Sequence, residues 1–153
     1  MTKKSTKTPW MPAPDFGRGL PPGLGLNLLV RDVEASVGFA QHVFQAEPVY
    51  WDEDFAFLRL PAIGAQWMLH ADHTYSDHRM SGLVRSVQGR GVGAEFRLYG
   101  LDPDVCEARA REWGYTVLDG TIDKPHGLRE CYLFDPDWYL WAPCVPLAAE
   151  PPG

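Results

Sequence analysis

The side chains best suited to acid–base or metal chemistry are concentrated in one stretch, His70-x-x-His73-x-x-x-x-His78, with Asp72 and Asp77 between the histidines. Three imidazoles could bind zinc, and His70 alone could act as a general acid or base because the unperturbed pKa of histidine lies near neutrality. The spacing matches no standard structural zinc site. The pattern therefore favours polar loop histidines, with His70 kept as a candidate catalytic residue.

Glu95 and Arg97 form a second candidate group, because they alternate along an otherwise apolar strand and share one face. If that face lines a cavity, the two charges must be solvated, paired or used in binding. Two interpretations stay open. In the first, Glu95 orients a cationic or hydroxyl group of the ligand and Arg97 orients a carboxylate. In the second, the two residues form an ion pair, either with each other or across a dimer interface.

Large aromatic rings cluster on predicted strands: Trp51, Phe55, Phe57, Trp67, Tyr132, Trp138, Tyr139 and Trp141. Trp67 and Trp141 have the parity of core residues, whereas Trp51 and Trp138 are placed to stack on a flat ligand. Cys106 and Cys131 are expected to pack in the core.

The elements that position these residues occur twice in the same order. A strand over 24–31 leads to Asp32, a helix N-cap, a helix over 33–44, and strands over 48–52, 55–60 and 66–71. A strand from residue 92 then leads to Asp102, a helix that ends at Trp113-Gly114, and strands over 115–118, 128–134 and 139–143. The sequence thus predicts an α+β fold of two βαβββ modules.

The domain boundaries follow from composition. Residues 1–22 are rich in Lys, Thr and Pro and are predicted to be a flexible, extended tail, in which only Trp10 and Phe16 could dock on the body. Residues 23–146 form the predicted domain, with modules over about 24–71 and 91–144 and a polar connector over 72–90.

Charge and cysteine usage limit the possible partners. The 153 residues carry a net charge of −6, which disfavours nucleic acid and tolerates a cationic ligand. No apolar run predicts a signal peptide or a membrane span, and three cysteines without C-x-x-C do not suggest a disulfide framework. We therefore expect a cytoplasmic protein.

Two motifs resemble the vicinal oxygen chelate superfamily, which includes glyoxalase I, extradiol dioxygenases, and fosfomycin- and bleomycin-resistance proteins. The segment from Leu28 to Phe39 resembles the family's opening L-x-V-x-D-x-x-x-S-x-x-F, and the run from Gly127 to Asp137 resembles its G-x-R … D-P-D-G. The match covers residues 24 to 144. Trp138 departs from the family pattern because Gly is usual there, and Ala40 because an aromatic residue is common.

The resemblance implies that each module is a curved half-barrel, with its helix on the convex face and its concave face toward a ligand cavity. Under this arrangement one set of strand residues packs beneath the first helix: Leu24, Leu26, Leu28 and Val30. The alternate residues of both modules face the cavity: Gly25, Asn27, Leu29, Gly93, Glu95 and Arg97.

Enzymes of this superfamily bind a divalent metal in that cavity through His, Gln or Glu. The corresponding positions of this chain carry Gly25, Met68, Gly93 and Ala142, none of which supplies a hard ligand. Because these positions depart from the family's ligand set, we predict that the usual metal site is absent and that the protein uses no cofactor. The expected ligand contacts are Asn27, Trp51, Met68, His70, Glu95, Arg97 and Trp138.

Three functions remain compatible with these residues. The first is metal-independent binding of a planar or cationic small molecule, such as an antibiotic or a metabolite. The second is a lyase, isomerase or dioxygenase reaction that uses His70, Glu95 or a non-standard metal set. The third is a structural or regulatory role with a vestigial cavity. The resemblance also implies a homodimer, since members of the family often pair modules across a two-fold axis.

Overall fold

The computed structural model describes residues 10–149 and 151–152. In chain order its helices and strands are α1 (Ala13–Arg18), β1 (Asn27–Val30), α2 (Val33–Phe44), β2 (Glu47–Trp51), β3 (Phe55–Leu60), β4 (Ala65–Ala71), α3 (Ser81–Arg85), β5 (Phe96–Tyr99), α4 (Pro103–Glu112), β6 (Thr116–Asp123), β7 (Leu128–Phe134) and β8 (Leu140–Pro146). Short 3₁₀ helices lie at Pro61–Ile63 and Asp72–Tyr75. None of the described helices is long and apolar enough to cross a bilayer.

The strands form two four-stranded sheets with the same topology. The strand order is β1-β4-β3-β2 in the first sheet and β5-β8-β7-β6 in the second. In each sheet the first and last strands of the module run parallel, and the other neighbours are antiparallel. The predicted α+β fold of two βαβββ modules is confirmed, and the sheets do not close into a barrel.

Both long helices begin where the sequence predicts. The Asp32 carboxylate accepts a hydrogen bond from the Ala35 amide at 3.1 Å, and the Asp102 carboxylate accepts one from the Asp104 amide at 2.9 Å. Each bond satisfies an N–H group that has no partner inside the helix. Val33, Val37, Ala40 and Phe44 recur at helical spacing, and all four are buried on one side of α2.

Replacing Asp32 with alanine should therefore lower the free energy of unfolding by about 1 kcal/mol. Chemical denaturation measures this change. Asp32→Ser is the control, because a serine hydroxyl can still accept from the helix amides, and most of the stability should return. Equal losses in both variants would contradict the capping role.

The two modules share one hydrophobic core. Helices α2 and α4 pack against each other, and Trp67 of β4 lies 5.2 Å from Trp141 of β8 between ring centroids. The predicted core positions of these two tryptophans are therefore confirmed. Cys106 and Cys131 are also buried in this core, and both are free thiols.

Two strands start later than predicted. Leu24 is 95% exposed rather than packed under α2, and β1 begins at Asn27. In the second module the chain turns at Gly93, where φ is +94°, and β5 begins only at Phe96. The glycines explain both differences, because they weaken strand structure and permit conformations that break the alternation.

The prediction of an extended tail is wrong for residues 13–18, which form α1. Trp10 stacks on Tyr50 with ring centroids 5.5 Å apart, and Phe16 meets Phe55 edge-on at 5.6 Å. Burial of these rings offsets the entropy lost when the segment becomes ordered. We call residues 10–19 the N-terminal cover. Residues 1–9 lie outside the described residues.

Candidate ligand-binding site

A cavity of about 420 Å³ lies between the N-terminal cover and the face of the first sheet opposite α2. Its lining combines residues of the cover with residues of β2, β3, β4 and the β2–β3 turn: Trp10, Met11, Ala13, Phe16, Tyr50, Asp52, Asp54, Phe55, Met68 and His70. All of these residues belong to the cover or the first module, so this cavity does not lie between the two sheets.

A bulge in β2 decides which aromatic residue faces the cavity. Pro48 pairs with Leu58 but Tyr50 pairs with Phe57, so one extra residue interrupts the alternation between them. Tyr50 therefore faces the cavity, and Trp51 lies in the core with 2% of its surface exposed. The prediction that Trp51 contacts the ligand is wrong for this reason.

The apolar walls of the cavity are aromatic. Trp10 stacks nearly parallel on Tyr50, with an interplanar angle of 9°. Phe16 meets the rings of Phe55 and Phe57 edge-on, at 5.6 and 5.3 Å. Flat rings held in this way offer extended surfaces for stacking and for contact with a cation.

The charged lining residues are acidic. The buried Asp52 carboxylate accepts hydrogen bonds from the Tyr50 hydroxyl and from the amides of Asp54 and Phe55. The Asp54 carboxylate is partly exposed and lies 2.5 Å from Nε2 of His73. Burial, followed by the hydrogen bond to Asp52, raises the pKa of Tyr50 to about 12, so its hydroxyl stays protonated. No described lining residue is a lysine or an arginine, so the local potential favours a cation.

Two predicted contacts, Met68 and His70, line one end of the cavity, whereas Asn27 does not line it and contacts His70 instead. In the sheet Asn27 pairs with Met68, and His70 is the next residue of β4 on the same face. Nδ1 of His70 lies 2.6 Å from Oδ1 of Asn27. Burial lowers the pKa of His70 below its ordinary value of 6.5, so the ring is neutral at physiological pH.

Glu95 and Arg97 lie on the second module instead and do not line this cavity. Arg97 donates to Glu95 at 2.8 Å and also to Glu130, a fully buried carboxylate on β7. Of the two interpretations, the structure therefore supports the ion pair. The sequence analysis did not identify Glu130 as the second partner of Arg97. We expect Glu95→Gln to leave binding in the first-module cavity unchanged.

Trp138 is also remote from the cavity. It lies in the turn between β7 and β8, 46% exposed, with its ring centroid 4.5 Å from that of Phe134. Its φ of +65° is the left-handed conformation that glycine adopts most easily, which explains why this position commonly carries Gly.

The residues do not fit the metal centre of the resembling enzymes. The three histidines of the polar stretch have separate partners: Asn27 for His70, Asp54 for His73 and the Met80 amide for His78. In the described part of the chain no three His, Cys, Asp or Glu residues are grouped so that they could hold a metal ion. Asp72 is instead engaged by Arg90 at 2.6 Å.

Sequence reasoning anticipated that Trp10 and Phe16 could dock on the body, but it did not place them at a cavity, and it missed Tyr50, Asp52 and Asp54. A signal did exist for the cover, because Trp10 and Phe16 are large aromatic residues in a segment otherwise dominated by small and polar ones. None existed for Asp52, which the sequence placed only at the end of a predicted strand over 48–52.

Searches with the sequence found no matching protein-family model and no matching curated protein. Solved structures do match. A glyoxalase-related enzyme from Fulvimarina pelagi aligns with a TM-score of 0.64 and 19% identity, over 82% of this chain and 88% of that chain. A glyoxalase/bleomycin resistance protein/dioxygenase from Nocardioides aligns with a TM-score of 0.64 and 22% identity, over 88% of this chain and 89% of that chain. The genomically encoded fosfomycin resistance protein of Listeria monocytogenes aligns with a TM-score of 0.60 and 19% identity, over 82% of this chain and 94% of that chain.

These matches confirm the resemblance at the level of architecture. The chain has the glyoxalase/bleomycin-resistance fold. At these identities the likeness defines the fold, and the activity has to be argued from the site.

Proposed function

We propose that this protein binds a small, planar and preferably cationic molecule in the first-module cavity, without a metal. The observation that carries the proposal is a cavity walled by aromatic rings, bordered by two carboxylates and covered by Trp10 and Phe16. Its volume of about 420 Å³ lies within the usual range of small-molecule sites, about 300–1,000 Å³. By resemblance to bleomycin-resistance proteins, sequestration of an antibiotic or a metabolite in the cytosol is the role we favour.

Two further observations support metal-independent binding. The positions that the resemblance assigns to metal ligands carry Gly25, Met68, Gly93 and Ala142. Met68 and His70 are the lining residues at the far end of the cavity, so that end offers one imidazole and one thioether. This donor set is poor for the hard or borderline cations that such enzymes use.

The buried free thiols of Cys106, Cys131 and Cys144 agree with a reducing compartment.

Titration with N-methylquinolinium should quench tryptophan fluorescence saturably, because this flat cation can stack on Trp10 beside the carboxylates. Trp10→Ala should weaken binding by about tenfold or more, the usual effect of losing an aromatic anchor. Trp138→Ala is the matched control and should change affinity less than twofold, because its ring lies outside the cavity. The neutral isostere 1-methylnaphthalene should bind more weakly than the cation.

Two results would count against the proposal. One is a ligand panel, including cationic glycopeptides, that gives no saturable quenching. The other is one tightly bound transition metal per chain in the purified protein, which would favour an enzyme with a non-standard metal set.

We further propose a homodimer that covers the helix-free face of the second sheet. Tyr99 pairs with Cys144, Cys144 with Glu130, and Glu130 with Ile122, so these four residues form one row across that face. Tyr99 and Ile122 are 62% and 49% exposed, which leaves apolar area for a second copy. Closed two-fold symmetry is the commonest arrangement among soluble oligomers.

Light scattering at micromolar concentration tests this state. The expected mass is near twice the 17.2 kDa of one chain. Ile122→Lys should shift the mass toward the monomer, whereas Leu83→Lys, at an exposed site in the connector, should not. A wild-type mass near 17.2 kDa would refute the dimer.

A further inference from the structure

A chain of hydrogen bonds fixes the orientation and the protonation of His70. Oδ1 of Asn27 lies 2.6 Å from Nδ1 of His70, and Nδ2 of Asn27 donates to the Tyr75 hydroxyl at 2.7 Å. With the Asn27 amide in this orientation its oxygen accepts, and the geometry therefore assigns the proton to Nδ1 of His70. Tyr75 belongs to the 3₁₀ helix that follows β4, so the connector holds the far end of this chain.

The neighbouring rings hold the imidazole in place. Its centroid lies 4.9 Å from that of Phe55 and 5.5 Å from that of Tyr75, which meets it edge-on. The ring is half-buried and borders the cavity. Because Nδ1 holds the proton of a neutral ring, Nε2 carries a lone pair. No hydrogen bond joins Nε2 to any residue described in the structure.

We propose that His70 presents Nε2 to the cavity as a fixed hydrogen-bond acceptor, so that the site selects flat ligands carrying an N–H or O–H donor. Asn27 and Tyr75 are positioning residues, since they set the tautomer without reaching the ligand. The inference rests on the proposed binding function and adds to it the class of ligand. A ligand without a donor would displace water from the half-buried nitrogen without replacing the lost hydrogen bond. The unsatisfied acceptor would lower the affinity for such a ligand.

The tautomer can be measured without any ligand. Long-range ¹H–¹⁵N correlation on the full ¹⁵N-labelled chain, at a pH above neutrality, should show His70 with a protonated Nδ1 and an unprotonated Nε2. The spectrum of His70→Gln assigns the signal among the five histidines. Free imidazole side chains favour the opposite tautomer, so a protonated Nε2 on His70 would overturn the inference.

A matched pair of probes tests the selection. Indole and 1-methylindole differ only in the methyl group that replaces the N–H hydrogen. Calorimetry should show indole binding about tenfold more tightly, the equivalent of one hydrogen bond. Asn27→Asp should abolish this preference, because a carboxylate beside Nδ1 stabilises the imidazolium and turns Nε2 into a donor. Tyr75→Phe, which removes only a hydroxyl, should also reduce it, because the amide of Asn27 is then free to rotate.

The outcomes separate this inference from the proposed function. Equal affinity for both indoles, with saturable N-methylquinolinium binding, overturns the acceptor role and leaves the binding function standing. No binding of any of the three probes overturns both. Circular dichroism of Asn27→Asp and Tyr75→Phe establishes that a lost preference does not come from unfolding.

Discussion

Replacing Arg90 with methionine should lower the free energy of unfolding by about 3–5 kcal/mol at neutral pH, the usual cost of removing one partner from a buried ion pair. The Arg90 side chain is 4% exposed and connects three parts of the chain. It binds both carboxylate oxygens of Asp72 at 2.6 Å, donates to the Leu29 carbonyl at 2.9 Å, and lies 3.7 Å from the buried Asp137.

The loss should depend on pH with a definite sign. Burial raises the pKa of Asp137, although Arg31 and Arg90 oppose this. A carboxyl group with a raised pKa in the folded state contributes stability at low pH, and that contribution is lost as the pH rises through the folded value. Removing Arg90 raises this pKa further, so the variant should be penalised less at pH 4 than at pH 8.

Chemical denaturation at several pH values measures both effects. Arg85→Met is the matched control, because Arg85 lies exposed in the same connector and its loss should cost less than about 0.5 kcal/mol. A similar loss in both variants, or a loss that is larger in acid, would contradict the role assigned to Arg90. Since Tyr75 lies in the connector that Arg90 anchors, Arg90→Met should also weaken ligand selection by His70.

The second large effect is expected at Glu130. Burial by itself would raise the pKa of this carboxyl group, but hydrogen bonds from Tyr132, Arg97 and His126 outweigh burial and bring the pKa below its usual value of 4.5. Such a group stabilises the fold above its unfolded pKa, and the contribution is lost as the pH falls through the folded value. Glu130→Gln should therefore cost about 2–3 kcal/mol at pH 7 and progressively less below pH 4.5.

Glu95→Gln provides the comparison, since both residues pair with Arg97. The Glu95 side chain is 42% exposed and that of Glu130 is 0% exposed, so water screens the first ion pair much more than the second. We expect Glu95→Gln to cost less than about 1 kcal/mol, typical of exposed pairs. Equal costs for the two substitutions would show that burial does not govern this cluster.

The sequence predicted the parts of the fold that depend on neighbours along the chain. Asp32 and Asp102 cap helices because their carboxylates reach amides two or three residues away. Alternation assigned Leu28 and Val30 to the core, and it put Asn27 and His70 on the opposite face. Periodicity was therefore sufficient for the doubled βαβββ order, and the family resemblance was needed to identify the face of His70 as the cavity face.

Other features depended on the tertiary structure, because they join residues that no local pattern connects. One extra residue in β2 exchanged Tyr50 and Trp51 between cavity and core, and a bulge of this kind leaves no mark in composition. Arg97 found its buried partner Glu130 thirty-three positions along the chain.

The cavity itself has the same origin. Trp10 and Phe16 belong to a short segment without a core of its own, and their rings pack against Tyr50 and Phe55 of the first sheet. The sequence by itself thus determined the fold and the position of His70. The tertiary structure decided which rings surround that histidine, because burial of apolar area depends on surfaces that distant segments form together.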